Sequence, residues 1–436
     1  MSTVVEHWRA FWFAPARPTN LAIWRIVFYG TTLLFYGGED VAAWATVPEV
    51  FWHPIRLFGV VHLVVLPEST LHLLSVVWAV ALAASCIGLF TRASTIVAFV
   101  IGLYLIGLPH NFGKVHHGDA LTVFMLGILA CSRCGDGWSI DRLVALVRRP
   151  TLAQGPRSSG EYTWPLRLGC VLITLVFLGA GTSKLRQSGL RWITSDNMAN
   201  MLVNHHYSHH PPVRWSLALA PHRWLTSGIA AMTVLLETAA PLALFSRWLR
   251  VVLIPSLFLM QVGILLLMGI LFRDFLVMYL VWVPWDRLGD WIVGRWAGRP
   301  TYAVLYDGSC GLCRRTMAVV RALDPLRRVA IHDVHGDWPE VARRYPHLSQ
   351  ETCMAEMHVV APSGRITLGF DGYRALAWTL PAAWLVLPLL YLPGVRWVGR
   401  RVYARVAARR ACSIAEHRAW APAATPEATG EPAARR

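Results

Sequence analysis

Long apolar runs are the feature that most constrains how this chain can fold. They lie near residues 21–36, 70–90, 93–110, 118–132, 164–182, 227–245, 249–271 and 274–285. A helix needs about 20 apolar residues to cross a bilayer. Only 15% of the residues are charged, whereas soluble domains carry about 25%. The sequence therefore predicts a polytopic α-helical membrane domain of about eight spans, assigned to residues 15–290.

The joints between these runs predict hairpins and an orientation. Two joints are very short, at residues 91–92 and 246–248, so each flanking pair of runs is expected to form an antiparallel helical hairpin. Lys and Arg collect in cytoplasmic loops, and alternation then places both termini in the cytoplasm of a bacterial inner-membrane protein. The basic loops also account for much of the net charge of +16, so the expected large partner is the lipid bilayer and not a nucleic acid.

The pattern changes after residue 300. Strand-like runs occur near 302–306, 328–332, 357–361 and 365–370, and the last two flank a Pro-Ser-Gly turn typical of a hairpin. Helical patterns occupy 313–323 and much of 371–410. This order predicts a small α/β domain of thioredoxin type at residues 301–412. The remaining residues, 413–436, are rich in Pro and Ala and are expected to be a disordered tail.

The stretch LYDGSCGLCRRTM at 305–317 places two cysteines between a predicted strand and a predicted helix. Cys310 is expected at the helix N-terminus, where free backbone amides stabilise a thiolate. This thiolate would attack a disulfide, and Cys313, one turn further on, would resolve the mixed disulfide. The alternatives are a metal half-site and two inert thiols. A structural zinc usually needs four ligands, so no metal site is expected.

The same residues resemble a known family. Asp307, Cys310 and Cys313 spell D-x-x-C-x-x-C, which resembles the signature of the DCC family of predicted thiol-disulfide oxidoreductases, and the likeness continues through residues 357–381 and 392–395. The resemblance implies a thioredoxin-like domain whose redox pair is Cys310 and Cys313. The resemblance does not identify a substrate, and the partner expected for thiol-disulfide exchange is a disulfide-bearing protein or a small thiol. Asp307 is expected either to act as a base or to fix the turn.

A second pair of cysteines, Cys131 and Cys134, closes the fourth apolar run. The predicted topology places this pair on the cytoplasmic side, as it does Cys310 and Cys313. One hypothesis is a thiol relay between the two pairs. The alternative is that Cys131 and Cys134 only pack at a Gly-rich helix end.

Ionisable and amide side chains inside apolar runs are costly, so they are candidates for function. The residues of this kind that bear on the argument are Arg25, His117, Lys184, Glu237 and Gln261. The structural alternative is that Arg25 pairs with Glu237 while Lys184 extends its ammonium to the membrane interface.

A further resemblance rests on the order of several short motifs. FLGAGTSKLRQSGLRW at 177–192, the His117 segment, the E-x-x-x-P motif at 237–241 and Met-Gly-Ile at 268–270 resemble the vitamin K-dependent carboxylase superfamily. Its bacterial members share the HTTM membrane domain, and the likeness covers about residues 15–290. The resemblance implies that Lys184 is a catalytic base and His117 a partner. Two features depart from the family: Gln261 replaces a histidine, and the large lumenal β-rich domain is absent.

These observations lead to one functional prediction and two alternatives. The leading prediction is a membrane-bound thiol-disulfide oxidoreductase coupled to a quinone-like lipid. Glu237, Gln261 and Arg25 would line the lipid pocket, Lys184 would deprotonate a hydroquinone, and His117 would stabilise the oxyanion. No cofactor is required by the sequence itself; the candidate is a quinone or a vitamin K-like hydroquinone. The alternatives are a carboxylase-like membrane enzyme that uses Lys184 as base with an accessory dithiol domain, and a non-catalytic membrane assembly factor.

Overall fold

The computed structural model describes residues 2–113, 117–149, 156–208, 213–296 and 302–419. The chain divides into two compact units; the described part of the first is residues 2–144 and 156–288, and that of the second is residues 145–149, 289–296 and 302–419. The first unit is mainly helical, and the second contains a four-stranded sheet. Each unit is described separately below.

Helices α1 to α15 precede the sheet. Their bounds are Ser2–Phe13, Thr19–Tyr36, Arg56–Val60, Glu68–Ile87, Thr91–Gly107, His117–Cys131, Ile140–Arg148, Trp164–Ser188, Arg191–Thr194, Asn197–Ser208, Arg214–Leu219, Arg223–Ala239, Arg247–Met268, Arg273–Met278 and Trp285–Trp296. Short 3₁₀ segments lie at Val41–Thr46, Glu49–Phe51, Leu108–Phe112, Gly160–Tyr162, Ala240–Leu244 and Tyr279–Trp282.

Within the described ranges, five helical segments are long and apolar enough to cross a membrane. They are Glu68–Ile87, Thr91–Phe112, Gly160–Ser188, Arg223–Leu244 and Arg247–Met268. The segment Gly118–Cys131 is apolar but shorter. These helices suggest an integral membrane protein, but the prediction of eight spans is not confirmed. The run at 274–285 is divided between α14 and a 3₁₀ segment, and neither is long enough to cross a bilayer.

The predicted hairpins are present in the first unit. Helices α4 and α5 pack against each other across the short joint 88–90. Helices α12 and α13 also pack together, and the segment 240–246 joins them. The hydroxyl of Ser246 caps α13 by accepting a hydrogen bond from the amide of Leu249 at 3.4 Å. Ser is a good N-cap residue, which accounts for the start of α13 at Arg247.

Arg25 on α2 is fully buried in the first unit. Its guanidinium donates hydrogen bonds to the carbonyl oxygens of Cys134 at 2.7 Å, Gly137 at 3.2 Å and Trp138 at 2.6 Å. The planar fork of arginine suits several acceptors at once. Arg25 therefore joins α2 to the turn that follows α6, and the structural alternative, in which Arg25 pairs with Glu237, is wrong.

The second unit contains a mixed sheet of order β2-β1-β3-β4. Its strands are β1 (Tyr302–Tyr306), β2 (Val329–Asp333), β3 (His358–Val360) and β4 (Ile366–Leu368). Strand β1 is parallel to β2 and antiparallel to β3, and β3 is antiparallel to β4. In register, Leu305 lies opposite both His332 and His358. The element order therefore follows the strand–helix–strand and hairpin pattern predicted from the sequence.

Helices α16 to α21 accompany the sheet. Their bounds are Gly311–Leu323, Trp338–Arg344, Gln350–Ala355, Gly369–Thr379, Leu387–Leu390 and Val395–Ala419, with a 3₁₀ segment at Pro381–Leu385. Helix α21 continues beyond residue 412, where the tail was expected to begin. Residues 420–436 of the predicted tail lie outside the described residues.

Strand β1 is buried on both faces, as expected for the centre of such a sheet. Val304 and Tyr306 pack against α16 and α19 on one face. Ala303 and Leu305 pack against α17 and α18 on the other. Because successive side chains of a strand point to opposite faces, this strand holds both layers together. It also sets the position of the turn that follows it.

A carboxylate on α19 anchors α21. Asp371 accepts hydrogen bonds from Arg396 at 3.1 Å and from Arg400 at 2.9 Å. Partial burial raises the pKa of Asp371, but the two arginines outweigh burial and lower the pKa to about 2. A carboxylate with a lowered pKa adds stability above its ordinary pKa of 3.8, and this stability is lost as the pH falls towards 2.

Asp371→Asn should therefore lower the free energy of local unfolding of α21 at neutral pH by about 1 kcal/mol or less, because partly exposed ion pairs contribute little stability. The difference between the variant and the wild type in the local unfolding free energy of α21 should become smaller as the pH falls below 3.8 towards 2. Pulse hydrogen exchange of the α21 amides, after incubation of the full chain at each pH, measures this difference. A constant difference over that pH range would contradict the role given to the Asp371 carboxylate.

Candidate functional sites

The first candidate site lies where β1 ends and α16 begins. Cys310 is the N-cap residue of α16, and its sulfur accepts a hydrogen bond from the amide of Cys313 at 3.4 Å. The turn before it passes close to β2, because the amide of Gly308 donates to the Asp333 carboxylate at 3.0 Å. A Cβ atom at position 308 would collide with that carboxylate. The predicted strand–turn–helix arrangement is observed, and the helix amide stabilises negative charge on the Cys310 sulfur.

The two thiols differ in exposure. Cys310 is only 7% exposed, whereas Cys313 is partly exposed and lines a cavity of about 730 Å³. Neither of these two cysteines forms a disulfide. In the part of the chain that the structure describes, no group of three or more His, Cys, Asp or Glu side chains is arranged to hold a metal ion.

Asp307 is buried directly before the cysteines. Its Oδ1 accepts hydrogen bonds from the Ser309 amide at 2.9 Å, the Ser309 hydroxyl at 2.6 Å and His335 Nε2 at 3.0 Å. Burial raises the pKa of Asp307, but the hydrogen bonds from Ser309 and His335 outweigh it, so the pKa is lowered. These contacts support the turn-fixing role of Asp307. His335 was not identified from the sequence, because it comes from the loop after β2.

Asp307→Asn should retain most of the thiol-disulfide exchange rate at neutral pH. The amide oxygen of asparagine can still accept from Ser309, although the charge beside His335 is lost. Asp307→Ala removes every acceptor and should lower the rate further. Steady-state exchange with glutathione disulfide compares the two variants. Equal and severe losses in both would favour the alternative role of Asp307 as a base.

The second candidate site lies between α8 and α12 in the first unit. The ammonium of Lys184 lies 2.7 Å from Glu237 Oε1 and 2.6 Å from Oε2. The same nitrogen is 5.3 Å from the centre of the Trp192 ring, a cation–π distance. The helices approach closely here, because a Cβ atom at Gly181 would lie 2.8 Å from the Thr238 side chain. The ammonium of Lys184 therefore forms an ion pair with Glu237 and does not simply extend to the membrane interface.

This ion pair borders a cavity of about 930 Å³ whose other walls are mostly apolar. Gln261 also lines the cavity, and its Oε1 has no hydrogen-bond donor among the described residues. The structure thus brings together Lys184, Glu237 and Gln261. Arg25 does not line this cavity, since it binds carbonyl oxygens elsewhere. Helix α6 begins at His117, whose side chain lies outside the described residues.

The second cysteine pair occupies the end of α6. Cys131 is exposed, whereas Cys134 is buried and its thiol donates to the Leu129 carbonyl at 3.6 Å. The carbonyl of Cys134 also accepts from Arg25. These contacts suit a packed helix end. Exchange between this pair and Cys310 or Cys313 stays a prediction.

Comparison with known proteins concerns the C-terminal part of the chain. Residues 304–413 match the model of the DCC1-like thiol-disulfide oxidoreductase family. No curated protein and no solved structure matches the chain. The likeness of residues 15–290 to HTTM and vitamin K-dependent carboxylases is not shown by these comparisons. Residues 304–413 are therefore a DCC1-like thiol-disulfide oxidoreductase domain, in a chain whose preceding region is helical and carries apolar helices long enough to span a membrane.

Proposed function

We propose that this protein is a membrane-bound thiol-disulfide oxidoreductase in which Cys310 and Cys313 cycle between dithiol and disulfide. The observation that carries this proposal is the amide of Cys313 directed at the capping sulfur of Cys310, within the segment that matches the family. The apolar helices support a membrane location. The basic loops favour cytoplasmic termini, and the expected substrate is a disulfide-bearing protein or a small thiol.

The chemistry needs only the two cysteines and a substrate. One thiolate attacks a substrate disulfide, forms a mixed disulfide and releases the first substrate thiolate. The second cysteine then attacks the mixed disulfide, which closes the Cys310–Cys313 bond and releases the second substrate thiolate. Two electrons pass from the dithiol to the substrate, and both substrate sulfurs take up protons. The reverse sequence oxidises a substrate dithiol.

A redox titration of the full chain in detergent tests this proposal. The protein is equilibrated in glutathione buffers of graded potential, free thiols are alkylated, and the peptide containing residues 305–317 is analysed by mass spectrometry. We expect Cys310 and Cys313 to become oxidised together in one two-electron transition. Separate glutathionylation of each cysteine, without an internal disulfide, would contradict the proposal. Cys353, which is fully buried, serves as the internal reference thiol.

A second candidate function is binding of a quinone-like lipid at the Lys184 site, and the 930 Å³ cavity favours it. Ligand cavities commonly enclose about 300–1,000 Å³ behind mostly apolar walls. A quinone carbonyl can accept a hydrogen bond from Lys184, and a hydroquinone hydroxyl can donate to Gln261. The carboxylase-like alternative is less supported, because a lysine paired with Glu237 must lose its proton before it acts as a base. No specific observation favours the assembly-factor alternative.

Lipid extraction from the purified protein tests the second candidate. Gly263 lines the cavity, and Gly179 does not. A Cβ atom at either glycine meets nothing within 4 Å. Gly263→Leu should fill part of the cavity and reduce any co-purifying quinone, whereas Gly179→Leu should leave its amount unchanged. An equal quinone content in both variants would show that the quinone does not bind in this cavity.

A further inference from the structure

One surface of the second unit is apolar although it is exposed. We call it the apolar patch, and its side chains, each at least 44% exposed, are Trp378, Trp384, Leu389, Tyr391 and Leu392. The Trp378 and Tyr391 rings contact each other with their centres 5.8 Å apart. None of these five residues lines the cavity beside Cys313. A large exposed apolar surface commonly marks a binding site for a partner or a membrane.

The polar atoms of the patch are already bonded within the second unit. The Trp378 indole nitrogen donates to the Tyr391 hydroxyl at 2.8 Å, and that hydroxyl donates to the Arg374 carbonyl at 3.4 Å. The Trp384 indole nitrogen donates to the Trp378 carbonyl at 3.0 Å. Burial of a polar group is costly mainly when the group lacks a hydrogen-bond partner. These three rings can therefore leave water for an apolar medium without losing a hydrogen bond.

Basic side chains accompany the apolar patch. Helices α19, α20 and α21 pack against one another, and residues 372–408 contain five arginines and no lysine, aspartate or glutamate. The Arg374 guanidinium lies 4.1 Å from the centre of the Tyr391 ring. On α21, the Arg401 guanidinium lies 3.6 Å from the centre of the exposed Trp397 ring. The apolar patch therefore belongs to a helical layer with a marked positive charge.

An anionic bilayer surface matches both properties. Trp and Tyr are enriched where a membrane meets water, and each Lys or Arg close to an anionic membrane contributes about 1 kcal/mol of attraction. The last candidate span in the described part of the chain ends at Met268, and β1 begins at Tyr302. A chain anchored by such helices keeps its second unit near the bilayer at a high effective concentration, so a weak surface contact is sufficient.

We propose that the second unit docks onto an anionic bilayer through the apolar patch, with Leu389 and Leu392 among the lipid head groups and the arginines of α21 beside lipid phosphates. This inference goes beyond the oxidoreductase function, because it concerns where the domain binds and not the chemistry of its cysteines. Apolar burial and electrostatic attraction both contribute to interfacial binding. Docking should therefore depend on the leucines and on the arginines.

Hydrogen exchange of the full chain in nanodiscs tests the docking. One preparation contains phosphatidylcholine alone, and the other contains phosphatidylcholine together with the anionic lipid phosphatidylglycerol. We expect the amides of residues 386–392 to exchange at least about threefold more slowly in the anionic nanodiscs, because binding stabilises the closed state against local opening. Equal exchange of this segment in the two preparations would overturn the inference, whether the patch is in water or is covered by protein.

Two double variants separate the apolar contribution from the charged one. Leu389→Ser/Leu392→Ser removes exposed apolar side chains, and Arg401→Gln/Arg405→Gln removes two positive charges from α21. Each should reduce the protection measured in anionic nanodiscs to less than about half of the wild-type value. Full protection in both double variants would overturn the assignment of the docking surface.

Arg343→Gln/Arg344→Gln is the matched control. It removes the same charge, but from exposed side chains on α17, which packs on the opposite face of the sheet from α19. We expect its protection in anionic nanodiscs to equal that of the wild type, and an equal loss here would mean that the attraction is not specific to the patch. Slow exchange of the β1 amides in every variant checks that the second unit is folded. Exchange with glutathione disulfide should be unchanged in the leucine variant, so loss of docking is distinguishable from loss of the redox chemistry.

Discussion

Replacement of either Cys310 or Cys313 with serine should reduce thiol-disulfide exchange by the purified protein to the rate measured without protein. One cysteine must form the mixed disulfide and the other must resolve it, so neither variant can complete a turnover. The measurement is multiple-turnover reduction of a disulfide substrate by the full chain, with a dithiol as the source of electrons. Each single variant and the double variant should be equally inactive, because the two cysteines act as one unit.

Cys353→Ser is the matched control for these variants. Cys353 is a third cysteine of the same domain, it is fully buried, and burial raises the pKa of its thiol. Its replacement should leave the exchange rate unchanged. Activity that survives in the double variant would assign the chemistry to other cysteines, such as Cys131. A wild-type rate equal to the background would instead favour the assembly-factor alternative.

Lys184→Met should destabilise the first unit by about 3–5 kcal/mol, since removal of one partner from a largely buried ion pair leaves the other charge uncompensated. Glu237 is only 5% exposed, and both of its oxygens accept from the Lys184 ammonium. Glu237→Gln alone leaves the lysine without its charged partner and should also be destabilising. Denaturant unfolding in detergent, followed by a label placed on α12, measures these losses.

The double variant Lys184→Met/Glu237→Gln provides the decisive comparison. It contains neither charge, so most of the lost stability should return. If the pair also holds the head group of a quinone, the double variant should remain poor in co-purifying quinone even though it is stable. If the stability of each single variant lies within about 0.5 kcal/mol of the wild-type stability, water already compensates both charges.

The sequence by itself was sufficient for the features that depend on neighbours in the chain. The apolar run at 302–306 and the D-x-x-C-x-x-C spacing that follows it are local features. They predicted a strand, a turn and a helix with Cys310 at its N-terminus, and this arrangement is observed. Backbone conformation and helix capping act over a few residues, which is why a single stretch of sequence determines them. The two helical hairpins were predictable for the same reason, but their joints lie at 88–90 and 240–246 and not at 91–92 and 246–248.

Only the tertiary structure decided which distant groups meet and which thiol is accessible. Lys184 and Glu237 are 53 residues apart in the chain, and they pair because α8 and α12 pack closely. Arg25 is also an ionisable residue inside an apolar run, but its partners are the carbonyl oxygens of Cys134, Gly137 and Trp138. The spacing of Cys310 and Cys313 does not predict the exposure of either thiol, because part of the cavity that Cys313 lines is formed by α21, more than 80 residues further along the chain. Burial and pairing are properties of packed surfaces, and those surfaces exist only after the chain has folded.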